Sequence, residues 1–355
     1  MNRMDNLLKI AELGTGEGVI IHKRSNMFYL SGYTGEGIIA AGQGFQAIIT
    51  DFRYTEQAER QAPDYEVLMV EKGVNHVQLA ARLFGDHGIT AIRYEDDEVT
   101  VRDFEKMQKD LPGIALSSLK NAPEEARRVK DETEVAAIEA ACDISCKAFD
   151  KLIPQIKPGM TEKQLQILLD YTMLELGADG LAFDTIVAAG ENGSLPHAIP
   201  GERVVQKGDM ITFDFGAKKN GYCADMTRTV AVGMPKPEMV KIYETVLRAQ
   251  EECEGMLRPG LPCKEADLHA REIIDGAGYE GRFGHSLGHG VGIDIHEQPS
   301  LSYRSEDILK PGHIVTVEPG IYVPGLGGVR IENTCVITET GARTLVHAQK
   351  ALLIL

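Results

Sequence analysis

A chain of 355 residues, 43% hydrophobic and 25% charged, has the make-up of globular protein, and its length points to about two domains. The formal charge of −16 disfavours non-specific nucleic-acid binding, which needs clustered positive charge. No run nears the roughly 18 consecutive apolar residues of a membrane span, and "MNRMDNLLKIAEL" lacks the apolar core and cleavage site of a secretory signal, so a cytoplasmic location is expected.

That N-terminal stretch reads instead as a first amphipathic helix. Downstream, "EGVIIH", "QAIITD", "YEVLMV" and "ITAIRYE" predict strands, while "TEQAERQA" and "HVQLAARLFGDHG" predict helices, the second closed by Gly88. The alternation predicts an α/β domain over residues 1–124. "GEGIIAAG" stands at a strand with the wrong glycine spacing for a dinucleotide fingerprint. "NAPEEARRVKDETEVAAIEAACDISCKAFDKLI" predicts one long helix with Pro123 near its start, opening a second domain over residues 125–355. The six cysteines, scattered without a CxxC pair, are expected to be reduced and mostly buried. Cys142 and Cys146 share a helical face, but no histidine lies nearby in sequence to make zinc a good reading.

The second domain carries an internal repeat. "KPGMTEKQL" at Lys157 resembles "RPGLPCKEA" at Arg258, and "HAIP" at His197 resembles "HEQP" at His296. "GDMITFDFG" aligns without gaps on "GHIVTVEPG", which sets Asp214 on Glu318; past a turn, "ADMTRTV" on "IENTCVI" sets Asp225 on Glu332. Each strand pair reads as a hairpin, the first turning at Asn220–Gly221, with Phe213 and Phe215 on one face and Asp214 on the other.

Any one of these acids alone reads as a solvated residue on the polar face of a strand. Four at equivalent positions amid apolar strands cannot be buried together without cations, because converging carboxylates repel. Four carboxylates and one imidazole suit two divalent metals, with Mn first and Co, Fe or Zn as alternatives. The imidazole comes from "FGHSLGHGVGIDIHEQPS", which holds His285, His289 and His296. His285 and His289 have helical spacing, yet Gly284, Gly288, Gly290 and Gly292 disfavour a helix, and a strand is expected. On a strand, the odd offset of His296 from His289 turns it elsewhere unless a bulge intervenes.

The set "DFG", "ADMTRT", "GHSLGHGVG", "EPGIY" and "RIEN" resembles the metal ligands of the pita-bread metallopeptidases, closest in layout to Xaa-Pro dipeptidases (prolidases) and aminopeptidase P. "NMFYLSGYTG" and "ITDFRYTEQA" resemble that family's creatinase-like N-terminal domain. The resemblance implies an α+β fold: a pseudo-twofold catalytic domain preceded by a smaller α/β domain. Asp225 and Glu332 would bridge two metals, Asp214 would bind one, and His289 with Glu318 the other. A hydroxide between the metals would attack the scissile carbonyl, with Glu318 as general base. His285 and His296 would face the substrate and its oxyanion, and His197 in "SLPHAIPG" matches the remaining active-site histidine. Arg330, on the face of Glu332, would hold Glu318 or another carboxylate, whereas Tyr322 reads as packing. His313 and His347 are given no role.

Substrates would be small peptides with proline second, and a homodimer is expected from the family. Some prolidases place an arginine where Ser300 stands, with Arg304 following, so dipeptide and longer substrates both stay open. Methionine aminopeptidases usually lack the N-terminal domain. Creatinase-like relatives and binding proteins of the same fold are expected to lose metal ligands, all five of which are present here. A metal-stabilised structural domain would not need His197, His285 and His296.

Overall fold

The apolar runs of the first third of the chain fold as strands because their alternate residues are buried against helices. A computed structural model describes residues 2–355, which divide into two compact units, one up to Arg127 and the other Arg128–Leu355. The first unit runs α1 (Arg3–Ile10), β1 (Glu17–Ile21), α2 (Arg24–Ser31), β2 (Ile38–Gly42), β3 (Phe45–Thr50), α3 (Thr55–Gln61) and β4 (Glu66–Met69). It continues through α4 (His76–Asp86), β5 (Ala91–Tyr94), α5 (Val101–Asp110), β6 (Ala115–Ser118) and α6 (Ala122–Arg127). Its six-stranded sheet has the order β4-β3-β2-β1-β5-β6, antiparallel in the middle and extended by parallel pairs on both sides. α4 starts at a capping box between Asn75 and Gln78 and buries Ala80 and Phe84 against Ile20, Ile49 and Ile92.

The single long helix expected around Pro123 is two. α7 (Glu132–Leu152) begins afresh because the Asp131 side chain accepts the backbone N–H groups of Thr133 and Glu134, while Glu134 accepts that of Asp131. Reciprocal capping satisfies orphan donors of the first turn and fixes a start there.

The second unit then shows two related halves. α7 and the 14-residue α8 (Glu162–Glu175) precede β7 (Gly180–Leu181), β8 (Ile186–Ala189), β9 (Met210–Phe215), β10 (Ala217–Lys219), β11 (Tyr222–Cys223) and β12 (Met226–Ala231). α9 (Pro237–Met256) and the 14-residue α10 (Cys263–Gly276) precede β13 (Gly288–Gly290), β14 (Glu297–Leu301), β15 (Ile314–Val317), β16 (Gly320–Val323), β17 (Gly327–Arg330), β18 (Asn333–Ile337) and β19 (Ala342–Thr344). The main antiparallel pairs are β9–β12, with Asp214 opposite Thr227, and β15–β18, with Val317 opposite Asn333.

Neither pair is a simple hairpin. Between β9 and β12 the ribbon β10–β11 turns at Asn220 and Gly221, both at positive φ (51° and 82°), as a tight primed turn requires. β16–β17 occupies the matching place in the second half. Phe213 and Phe215 pack on Phe149 of α7 with ring centroids 5.8 and 5.7 Å away, so Asp214 faces away from the helices. Val315 and Val317 likewise join the core built by α9 and α10, which sends Thr316 and Glu318 to the other side.

Candidate metal centre and active site

Asp225 and Glu332 stand at matching points, each immediately before the second strand of its half. Bonds between the halves bring them together: the Glu332 N–H donates to Thr227 O (3.1 Å), and the Thr334 hydroxyl donates to Asp225 O (2.8 Å). Glu318 follows β15, and its N–H donates to Leu287 O (2.8 Å), placing it beside the histidine segment. His289 Nε2 lies 3.5 Å from Asp225 Oδ2 and 3.3 Å from Glu318 Oε1. His289 Nδ1–H donates to Gly290 O (3.0 Å), which leaves Nε2 as the bare nitrogen facing the acids.

One cavity of about 500 Å³ is lined by all nine residues singled out in the sequence: Asp214, Asp225, His289, Glu318, Glu332, His197, His285, His296 and Arg330. Phe183, Ile186 and Ile295 also line it. Asp225 and Glu332 are only 5% and 1% exposed. Burial first, and then the facing carboxylates, push both well above the ordinary carboxylate range; burial pushes Glu318 up to about 8. Arg330 is the one guanidinium in the cavity wall among the described residues, and it is committed to Asp214, Nη2 to Oδ2 at 2.6 Å.

The donors fit divalent cations. Asp214 Oδ1 and Glu332 Oε1 are buried without a hydrogen-bond partner, a state that costs about 1–3 kcal/mol each when nothing compensates it. Ligand atoms of Asp225, His289 and Glu332 all lie within 4.8 Å of one another. An oxygen-rich set with one imidazole nitrogen suits divalent cations, and neighbouring hydroxyls orient it. The Thr227 hydroxyl donates to Glu332 Oε2 (2.7 Å); the Thr316 hydroxyl accepts the His289 N–H (3.0 Å) and donates to Glu318 Oε1 (3.1 Å). Sequence reading assigned these threonines no role, although each stands two residues from an acid and therefore on its face.

The histidine stretch differs from the expected strand. It holds two short strands, Gly288–Gly290 and the start of β14, that pair with each other, so close that a Cβ at Gly290 would stand 2.5 Å from Gln298 O; the register also shifts between Gly288 and Gly290. With that irregularity and the chain reversal before β14, His296 returns to meet His289 edge-on at 4.4 Å between centroids, so the odd offset does not separate them. His285 is already engaged: Nδ1–H donates to Ser286 O (2.9 Å), and Nε2 accepts the Tyr322 hydroxyl (2.8 Å), which itself accepts from Arg330 Nη1 (2.8 Å). Burial holds His285 down at about 4, so it stays neutral near pH 7. His197 and His296 are the two histidines of the cavity with no ring-nitrogen hydrogen bond among the described residues.

Tyr322, read from sequence as packing, is thus part of the polar network. Its replacement by Phe leaves one buried donor on Arg330 and one acceptor on His285 unpaired. Y322F is expected to fold and to lose about tenfold in kcat/KM through the displaced Arg330, measured by steady-state kinetics beside circular dichroism.

Two further buried charges fix the histidine segments. Asp267 accepts the Leu287 N–H (2.9 Å) and pairs with Arg271 (2.7 Å), which donates to the carbonyls of Phe283 and His285. Lys130 pairs with Glu297, next to His296, at 2.9 Å.

Two pseudo-equivalent strand pairs converging four acids and an imidazole in a cavity define a metallopeptidase-type centre, and comparison gives the family. Residues 136–339 match Metallopeptidase family M24, and residues 3–129 match the Creatinase/Prolidase N-terminal domain; the chain belongs to family M24. It is 41% identical to "Uncharacterized peptidase YqhT" of Bacillus subtilis (strain 168) over 96% of each chain. An Xaa-Pro dipeptidase from Bacillus anthracis superposes with a TM-score of 0.94 at 35% identity, covering 100% of both chains. An X-Pro aminopeptidase from Thermotoga maritima MSB8 gives 0.90 at 38% identity over 96% of this chain and 97% of that one. The α+β pita-bread architecture behind a creatinase-type domain is therefore the fold of this chain.

Proposed function

We propose that this protein is a two-metal Xaa-Pro peptidase, cleaving the bond before a proline in the second position of short peptides. The observation that carries the reading is the pair of orphaned carboxylate oxygens, Asp214 Oδ1 and Glu332 Oε1, in the cluster that His289 Nε2 faces. Asp214, Asp225, His289, Glu318 and Glu332 would hold the ions. Mn is the favoured metal, with Co, Zn or Fe as alternatives. Bound there, the ions would make a water nucleophilic near neutral pH and polarise the scissile carbonyl.

The protein's own groups supply the rest. Glu318, steadied by Thr316, takes a proton from the attacking water and returns it to the departing proline nitrogen. His197 and His296, with open ring nitrogens, hydrogen-bond the peptide and the developing oxyanion. Arg330 fixes Asp214, and the wall of Phe183, Ile186 and Ile295 seats the proline ring and excludes water. A cytoplasmic homodimer, with residues 1–124 as the creatinase-like domain and 125–355 as the catalytic one, belongs to the same reading.

One observation favours peptides longer than two residues. Arg304 does not line the cavity and lies over the Tyr303 ring at 5.0 Å, while Arg330 is already committed. No free lysine or arginine lines the cavity, among the described residues, to neutralise the carboxylate of a dipeptide. After chelation and reloading with Mn, Co, Zn or Fe, Xaa-Pro-Xaa peptides are expected to be cleaved with kcat/KM at least about tenfold above Xaa-Pro dipeptides. A preference for dipeptides would overturn the length assignment, and cleavage of neither class would overturn the peptidase reading.

A further inference from the structure

Glu162 opens α8, where an acidic residue ordinarily sits in solvent and complements the helix dipole. This one is 1% exposed, and no cation lies within ion-pair distance of it among the described residues. Its carboxylate is nevertheless satisfied, by donors from another part of the chain. Oε1 accepts the Ala189 N–H (2.8 Å) and Asn192 Nδ2 (3.0 Å), and Oε2 accepts the Gly201 N–H (3.2 Å).

Ala189 ends β8, Gly201 lies within the connection that runs on to β9 at Met210, and His197 lies between them. One carboxylate therefore grips both ends of the segment from Ala189 to Gly201, which carries a cavity-lining histidine. The backbone reinforces the grip, with Lys163 N donating to Gly201 O (3.0 Å) and Glu162 N to Arg203 O (3.1 Å). On the cavity side, Pro196 O accepts from Arg330 Nη1 at 3.3 Å. Apolar packing adds little at the loop tip, since Leu195 and Ile199 are 56% and 89% exposed. The His197 ring has no hydrogen bond of its own among the described residues, so the loop's frame sets its place.

We propose that Glu162 is a positioning residue: its buried carboxylate holds the loop from Ala189 to Gly201 so that His197 faces the substrate. The consequence for turnover rests on the peptidase reading above; the consequence for the His197 ring does not. An amide at this position offers one accepting oxygen and turns an NH2 group toward a backbone N–H, so Glu162→Gln must release one end of the loop.

The test follows the His197 ring by NMR in 13C-histidine-labelled, zinc-loaded protein, together with kinetics on an Xaa-Pro-Xaa peptide. E162Q is expected to fold, to shift or broaden the His197 signal, and to lower kcat/KM by about tenfold. With His197→Ala already present, adding E162Q should cost less than about twofold, because the two residues act through one another. An unmoved His197 signal would overturn the proposal, as would an equal loss of activity with and without His197. Should E162Q fail to fold, Asn192→Ala removes one donor and is expected to move the same signal by less; no movement there also overturns it. A wild-type protein inactive on every Xaa-Pro peptide removes the peptidase reading, while the NMR signal still decides the role of Glu162.

Discussion

Glu318→Gln is expected to lower kcat on an Xaa-Pro peptide by about 10³-fold, the range lost when a positioned acid–base group is removed. The geometry separates this loss from misfolding. Gln keeps the size of Glu318 and an oxygen to accept the Thr316 hydroxyl, and the backbone bond from its N–H to Leu287 O is unchanged. What disappears is a carboxylate able to change protonation, at a site where burial has already moved it up to about 8. Because Glu318 also faces His289 Nε2 at 3.3 Å, the variant should take up metal more weakly, and kcat must be read at saturating Mn with bound metal measured alongside. Wild-type turnover under those conditions would rule out Glu318 as the proton carrier.

The second large effect is on the metal-free protein, which is expected to lose stability as pH rises from about 6.5 to about 8. Glu318 is raised from 4.5 to about 8, and Asp225 and Glu332 move in the same direction. Below the ordinary carboxylate value the acids are protonated in both states and carry no penalty. Above it the unfolded chain has released protons that the folded chain still holds, so unfolding gains with each further rise in pH until the folded values are passed. The histidines work the other way: His285, held at about 4, with His289 and His296 also lowered, makes the fold lose stability as pH falls below 6.5. The two slopes oppose each other under pH 6.5, and above it only the acids remain. The loss from Glu318 alone is of the order of a few kcal/mol. Calorimetry on chelated protein should show Tm falling across this window. Mn-loaded protein should not follow it, because metal takes the deprotonated acids and binds more tightly as they ionise. A flat or rising Tm in the chelated protein would sink the argument.

Both effects trace to residues visible in the sequence, and the reason is local. Side chains alternate along a strand, so "MITFDFG" and "HIVTVEPG" specify which face Asp214 and Glu318 take before any partner is known. Asn220–Gly221 specifies its own turn, and the repeat places Asp225 and Glu332 at matching points. Local rules were also enough to exclude a helix over the glycine-rich stretch. They did not separate the expected helix at Pro123 into two, although the capping residues Asp131 and Glu134 stand in the sequence. There the continuous helical pattern outweighed the start signal.

What only the tertiary structure decided is which partner each polar group meets. His285 meets Tyr322 across 37 residues, His296 turns back onto His289, and Glu162 reaches donors 27 and 39 residues away. Those pairings depend on chain reversals and on strands drawn close over glycines, which no window of sequence contains. Residue type and repeat therefore marked the four acids, while the choice of His289 among the three histidines came from the resemblance to the pita-bread metallopeptidases. The charge state of these donors, their orphaned oxygens and the fixing of the surrounding histidines arise from burial, which exists only once the two halves have closed on each other.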